Sequence, residues 1–352
     1  MHHLYFLVLP LVISFLTTPL LSLVARKNGL MDKPGLHKTH HEAKPLLGGL
    51  SIFLAVIVSV FVLLPDSSAV LSLMGGGAIL VIVGLLDDIY NLNPYVKLAG
   101  QLAAAILVVL CNHASFSVLV EFTRRFYLPK PLTLLFIIGW LVLMINAFNL
   151  IDGLDGLACG TAVIIFAAMT VVSTLQGRGT MTALLLIGLG ACLGFLPYNF
   201  NPARIFMGDT GSMLLGYLLG VIHLFVITAP FDVSLVLGTM FIMAYPATDV
   251  CFAIFRRIKN KTSIFKADQG HIHHLLLRLG LRVREVVLLI YVIDLFFASL
   301  AVYLLCASVR PLYVIILGII MIAVVCALLV YLRRASAAKM KYSGEQRLSR
   351  VE

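Results

Sequence analysis

The residues most able to do chemistry sit in short polar stretches between long apolar runs. Asn146, Asn149 and Asp152 recur at three-residue intervals. On a helix that spacing keeps side chains on one face, so amide and carboxylate oxygens would form a stripe at a helix exit. Oxygen donors of this kind suit Mg²⁺, which binds few protein groups and takes the rest of its shell from water and substrate phosphate. Asp155 follows in Asp152-Gly-Leu-Asp155-Gly, where each Asp-Gly is also a turn signal. Asp87 and Asp88 are adjacent; their repulsion falls when a divalent cation or a shared proton is present. Asp209 belongs to Gly-Asp209-Thr-Gly-Ser. Backbone N–H groups at such a helix start could face a phosphate, with Asp209 holding its counter-ion, or Asp209 and Thr210 could be plain N-caps.

A second set is cationic. The segment from Met31 to Gly49 is basic and punctuated by proline, carries Lys38, His40 and Lys44, and closes on Gly48-Gly49. It could hold an anionic headgroup or be an ordinary basic loop. Lys97 starts the helix after Asp87-Asp88, and Asn199 precedes the Asp209 stretch. Arg257 and Asp268 precede a run with His271, His273 and His274. Three imidazoles so close could bind zinc, hold a diphosphate, or be structural. Their spacing is not the helical i, i+4 pair of zinc sites, and no cysteine adjoins them. Imidazole and guanidinium donors side by side suit a diphosphate.

The elements that must position these stretches are membrane helices. Of 352 residues, 61% are apolar and 12% charged, with a mean hydropathy of +1.04. Soluble domains run about 45–50% apolar and 25% charged, so a soluble globular protein, a disordered chain and a disulfide scaffold are excluded. The six cysteines show no paired spacing. The first apolar run is too long for a cleavable signal and lacks a basic start. Periodicity and length place about eleven helices, near 3–25, 46–64, 68–86, 98–118, 132–150, 157–175, 180–197, 211–230, 232–254, 286–308 and 311–332. A bilayer-spanning helix needs about 20 apolar residues, and strand alternation is absent. The expected fold is therefore an all-α, polytopic integral membrane bundle forming one domain over 1–352. Its polar loops fall near 26–45, 87–97, 151–156, 199–210 and 256–285, with a tail at 333–352.

Lysine and arginine orient this bundle. The loops after odd-numbered helices and the tail hold 21 of them, against five on the other side. The positive-inside rule then puts the N-terminus outside and the C-terminus in the cytoplasm. The net charge of +10 becomes mostly a cytoplasmic face attracted to anionic lipid, and nucleic-acid binding is not needed. Most of the acids lie in the same loops and tail, with Asp66, Glu121 and Asp232 on the other side, although acids have little influence on topology. Clustered acids at a membrane boundary suggest a cation or proton path. A transporter would instead place charges near the bilayer midplane, where Asp294 and His223 are too sparse to define a path.

Taken in order, these stretches resemble a known family, the polyprenyl-phosphate N-acetylhexosamine-1-phosphate transferases (glycosyltransferase family 4). The matching residues are Asp32-x-Pro34 through Gly48-Gly49, Asp87-Asp88, Asn146-x-x-Asn149-x-x-Asp152-Gly-x-Asp155-Gly, Phe206-Met-Gly-Asp209-x-Gly-Ser, Pro246-x-x-Asp249 and His271-Ile-His273-His274. The His-Ile-His-His form looks like the WecA/TagO type. His37 stands where the family often has Arg, and Asn91 where many members have a third Asp.

The resemblance implies Mg²⁺-dependent transfer of N-acetylglucosamine-1-phosphate from UDP-N-acetylglucosamine to undecaprenyl phosphate, with UMP leaving; Mn²⁺ could replace Mg²⁺. A different UDP-N-acetylhexosamine, such as an N-acetylfucosamine donor, is the main rival within the class. It further implies the bacterial cytoplasmic (inner) membrane and an active site on the cytoplasmic face, feeding a cell-surface polysaccharide such as O-antigen or teichoic acid. Helix faces could pair two copies as a homodimer. By the same resemblance Asp209, Asn149 and Asp88 take the metal. Asp87, Asp88, Asp152, Asp155, His271, His273 and His274 take catalytic roles. Lys38, His40, Lys44, Lys97, Asn146, Asn199, Arg257 and Asp268 bind substrate.

Overall fold

The computed structural model describes residues 4–32, 42–64, 68–112, 129–228, 233–263 and 270–307, positions 116 and 119, and most of 309–335. His37, Lys38, His40 and Asp268 lie outside the described residues. In lipid a chain must satisfy its own backbone polar groups, which helices do within one segment. The described residues follow that rule, being mostly helical. The helices are α1 (Leu4–Lys27), α2 (Gly48–Leu63), α3 (Ser68–Tyr90), α4 (Pro94–Cys111), α5 (Lys130–Ile151) and α6 (Leu157–Leu175). They continue as α7 (Gly179–Asn199), α8 (Gly208–Thr228), α9 (Val233–Ile242), α10 (Ala244–Lys259), α11 (Ile272–Arg278) and α12 (Val283–Cys306). Residues 312–320 are helical again.

Among the described residues, eight helices are long and apolar enough to cross a membrane. The protein is a multi-pass, all-α membrane protein. The helix expected over 232–254 is not one rod. It breaks at Met243 into α9 and α10, which are bent by 78°. Pro246 supplies the reason: it has no N–H to donate to the carbonyl four residues back, so the ladder cannot run through. It is tolerated in the first turn of α10, where N–H groups lack helical partners anyway.

Local chemistry sets several other ends. Asn93 caps α4 by accepting from Tyr95 N at 2.9 Å, and Pro94 takes the first helical position. Asn91 closes α3 with φ +50°, its N–H donating to Asp87 O at 2.8 Å. Asn enters this left-handed region at lower cost than most residues, which gives the departure at this position a backbone role.

α8 is the axis of the molecule. Every residue from Thr210 to Thr228 is buried, and α3 and α5 pack most extensively on it. Its N-terminus meets the C-terminal ends of α3 and α5. A two-residue antiparallel ladder, β1 (Met31–Asp32) with β2 (Lys44–Pro45), leads into α2 beside it. Phe206 N donates to Pro45 O (2.8 Å), Gly48 N to Phe206 O (3.0 Å) and Gly49 N to Met207 O (2.9 Å). A Cβ on Gly49 would lie 2.5 Å from Gly211 Cα, so the glycine pair allows the backbones of α2 and α8 to meet.

Candidate active site

A cavity of about 410 Å³ opens at this junction. Six aspartates line it: Asp32, Asp87, Asp88, Asp152, Asp155 and Asp209. Asn91, Asn149, Asn199 and His274 add polar groups. Asp87 and Asp88 come from the end of α3, Asn149 from the last turn of α5 and Asp152 from its C-cap. Asp209 comes from the first turn of α8. The three oxygen donors that the sequence analysis assigns to a metal, Asp88, Asn149 and Asp209, thus share one cavity.

The hydrogen bonds divide these acids by task. Lys97 Nζ bridges two of them, donating to Asp87 Oδ2 at 3.0 Å and to Asp209 Oδ2. Asp87 Oδ1 also accepts Leu92 N at 2.8 Å. Asp88 spends both oxygens on the start of α8. Its Oδ1 accepts Asp209 N (2.8 Å), and its Oδ2 accepts Thr210 N (3.2 Å) and Thr210 Oγ1 (2.7 Å). A carboxylate is favoured at a helix N-terminus, and here it is supplied from α3. Gly208, with φ +68°, makes the turn possible, because a Cβ there would sit 2.5 Å from Asp88 Oδ2. Asp155 Oδ2 accepts Asn201 Nδ2 and Ala203 N, both at 2.9 Å, and so pins the stretch that leads to α8. Asn149 Nδ2 donates to Ser212 Oγ at 3.1 Å, which leaves Oδ1 as its group for the cavity. Burial pushes the Asp152 carboxyl well above the usual carboxylate range, and Asp209, Asp88 and Asp155 push the same way.

The histidines do not act alike. His274 lines the cavity. His271 Nδ1 pairs with Asp249 Oδ2 at 2.6 Å, and Asp249 Oδ1 accepts Ile272 N at 3.1 Å. Asp249 therefore orients the imidazole and caps α11 together. His273 is fully buried, with neither ring nitrogen hydrogen-bonded. Its Nε2 lies 2.7 Å from where a Cβ on Gly153 would stand. Burial pushes His273 down to about 3, aided by His274 and opposed by Asp249. It stays neutral near pH 7 and packs under the Asp152–Asp155 turn.

Three candidate substrate contacts lie away from the cavity. Asn146 exchanges hydrogen bonds with Gln101 on α4 (Nδ2 to Oε1 at 2.6 Å, Nε2 to Oδ1 at 3.4 Å), a polar clasp between helices. The three-residue stripe holds for Asn149 and Asp152, but one turn deeper a neighbouring helix takes up the amide. Lys44 faces a separate cavity. Arg257 is buried near the end of α10 and does not line the acidic cavity. Asn199 does line it, with Nδ2 donating to Ile205 O at 3.1 Å and Oδ1 buried without a partner. Sequence reasoning missed Gln101 and also Tyr291, whose hydroxyl donates to Gly156 O at 2.5 Å and holds the Asp152–Asp155 turn to α12. A lone Tyr in an apolar run carries no signal of this. The oriented His271–Asp249 pair had one, the Pro246-x-x-Asp249 motif.

The donor set fits magnesium. Among the described residues, no three His, Cys, Asp or Glu side chains cluster as a self-sufficient metal cage. Magnesium needs one or two carboxylates and completes its shell with water and phosphate oxygens. Asp209 and the Asn149 carbonyl oxygen provide hard donors of that kind. Asp249→Ala should cost about 1–3 kcal/mol, because His271 Nδ1 and Ile272 N lose a buried acceptor. Asp249→Asn keeps an acceptor oxygen and should cost less. Thermal unfolding in detergent measures both; equal losses would mean that charge, not an acceptor, is what His271 requires.

Residues 70–227 match glycosyl transferase family 4. A "Probable undecaprenyl-phosphate N-acetylglucosaminyl 1-phosphate transferase" of Bacillus subtilis (strain 168) is 37% identical over 329 residues, 91% of each chain. A "Decaprenyl-phosphate N-acetylglucosaminephosphotransferase" of Mycobacterium tuberculosis (strain ATCC 25618 / H37Rv) is 33% identical, covering 92% of this chain and 87% of its own. An "Undecaprenyl-phosphate alpha-N-acetylglucosaminyl 1-phosphate transferase" of Escherichia coli (strain K12) is 29% identical, covering 79% of this chain and 77% of its own. With such relatives along nearly its whole length, the chain belongs to glycosyl transferase family 4, among the polyprenyl-phosphate N-acetylglucosamine-1-phosphate transferases.

Proposed function

We propose that the protein transfers N-acetylglucosamine-1-phosphate from UDP-N-acetylglucosamine to undecaprenyl phosphate. UMP leaves, and undecaprenyl-diphospho-N-acetylglucosamine remains in the membrane. The observation that carries this reading is one cavity at a helix-end junction that gathers Asp87, Asp88, Asn149 and Asp209, in a chain with relatives named as undecaprenyl-phosphate N-acetylglucosaminyl 1-phosphate transferases. The lysine and arginine distribution supports a cytoplasmic position for this end of the bundle, and the bacterial relatives support an inner-membrane setting.

Both substrates are anions, and the cavity wall is acidic. Asp209 and Asn149 would hold Mg²⁺, with Asp88 fixing the helix start that carries Asp209. Bound there, the ion would neutralise the nucleotide diphosphate and stabilise charge on departing UMP. Asp87 takes the proton of the lipid phosphate and aims its oxygen at the sugar-linked phosphorus. Lys97 orients Asp87 and offers the approaching phosphate a cation. Asp152 and Asp155 shape the nucleoside side of the cavity. His274 reaches the bound phosphates or sugar, steadied by the His271–Asp249 pair behind it.

Purified protein given undecaprenyl phosphate, Mg²⁺ and a panel of UDP-N-acetylhexosamines should yield the N-acetylglucosamine lipid by mass spectrometry. UMP release independent of the lipid phosphate would defeat the proposal. Asp87→Asn should lower turnover about 10²–10⁴-fold, the usual contribution of a positioned acid–base group, while UDP-sugar binding is largely kept; near-normal turnover would remove Asp87 from that role. Asp209→Ala should abolish activity or raise the Mg²⁺ requirement sharply. An unchanged Mg²⁺ titration would take Asp209 out of the metal site.

A further inference from the structure

A second cavity, of about 540 Å³, lies beside the acidic one and has no part in the proposed chemistry. Its charge is opposite. Arg26 enters from the last turn of α1, Lys44 from β2, and Arg204 from the stretch before α8. Ser22 and Tyr198 add hydroxyls. Glu42 is the one carboxylate in its lining; Lys44 reaches it at 3.4 Å, and its side chain is 83% exposed. Among the described residues, Arg26 and Arg204 make no ion pair. On the α1 side Pro19 and Leu23 give the lining an apolar part, and Leu23 continues an exposed apolar stripe along α1 with Leu16 and Leu20.

The two cavities share a backbone wall. Lys44 lines the basic cavity and Leu46 the acidic one; Ile205 lines the basic cavity and Phe206 the acidic one. The Phe206 N–H donates to Pro45 O at 2.8 Å across the same wall. Met207, Gly208 and Asp209 follow directly.

We propose that the basic cavity binds the phosphate headgroup of an anionic bilayer phospholipid, which braces the wall that carries Asp209. Guanidinium and ammonium donors suit a phosphate ester, and clustered cations at a membrane boundary attract anionic headgroups. The exposed stripe of Leu16, Leu20 and Leu23 that runs along α1 from the cavity edge favours a lipid over a soluble anion, because acyl chains can lie along it while the phosphate reaches the cations. The occupant is not the acceptor substrate: a phosphate held here is separated from Asp87 and Lys97 by the 44–46 and 204–206 segments. By drawing Lys44 and Arg204 together, the headgroup holds the Pro45–Phe206 hydrogen bond closed.

The test uses the full chain and the double variant Arg26→Gln/Arg204→Gln. Both side chains are exposed, so neither substitution opens the core, and Arg26→Lys/Arg204→Lys serves as the charge-retaining control. Native mass spectrometry measures binding of phosphatidylglycerol, phosphatidylcholine and inorganic phosphate to detergent-purified protein. The wild type and the lysine control should bind phosphatidylglycerol roughly tenfold or more tightly than the glutamine variant does. Phosphatidylcholine should bind weakly to all three, and inorganic phosphate should not displace the lipid at equal concentration. Hydrogen exchange in nanodiscs should show that phosphatidylglycerol protects the segment containing Phe206 N–H in the wild type and not in the glutamine variant. Equal phosphatidylglycerol affinity in wild type and glutamine variant would overturn the site. Equally tight phosphatidylcholine, or displacement by inorganic phosphate, would overturn an anionic lipid as its occupant. Unchanged exchange at Phe206 on lipid binding would overturn the bracing.

Discussion

Like charges held close together in a poorly solvated cleft repel strongly, and the junction of α3, α5 and α8 gathers six aspartates around one cavity. Most of the local architecture can be understood as the means of tolerating that arrangement. Lys97 lies between Asp87 and Asp209. Asp88 gives both its oxygens to N–H and O–H donors at the start of α8. Asp155 gives one to Asn201 and Ala203. What remains is a net acidic surface, and the divalent cation in the proposed function answers that charge imbalance by letting an anionic nucleotide approach.

The same device appears twice. Asp88 on α3 caps α8, and Asp249 on α10 caps α11 while gripping His271. In each case a carboxylate from a distant helix satisfies N–H groups that a helix start leaves without intrahelical partners, and a polar side chain of the cavity region is fixed by that contact. The capping groups are thereby coupled to the packing of the whole bundle. A shift of α3 against α8 would move Asp209, and a shift of α10 would move His271. Close packing of Asp88 on Gly208 holds the first of these approaches to a narrow range, as Gly49 does for α2 against α8.

The histidine run shows how one motif can be split by burial. His274 meets the cavity, His271 is committed to Asp249, and His273 is sealed beneath Gly153. A neutral, unpartnered imidazole in that position acts through shape, filling the space under the Asp152–Asp155 turn.

By itself the sequence determined the solvent and the chemistry. Apolar runs of spanning length leave only helices as an answer in lipid, and carboxylates are rare enough in such a chain that their clustering between runs marks a site. The residues that now line one cavity, Asp87, Asp88, Asn149, Asp152, Asp155 and Asp209, could be named from type and spacing because the periodicity of a helix end is local. The tertiary structure alone decided which oxygens are spent on capping and which face the cavity. It also decided that Asn146 is absorbed by Gln101, that Lys44 turns to a different cavity, and that Tyr291 steadies the Asp152–Asp155 turn. Each of these depends on which helix lies alongside, and that is set by packing between segments tens to more than a hundred residues apart, where no spacing rule along the chain applies.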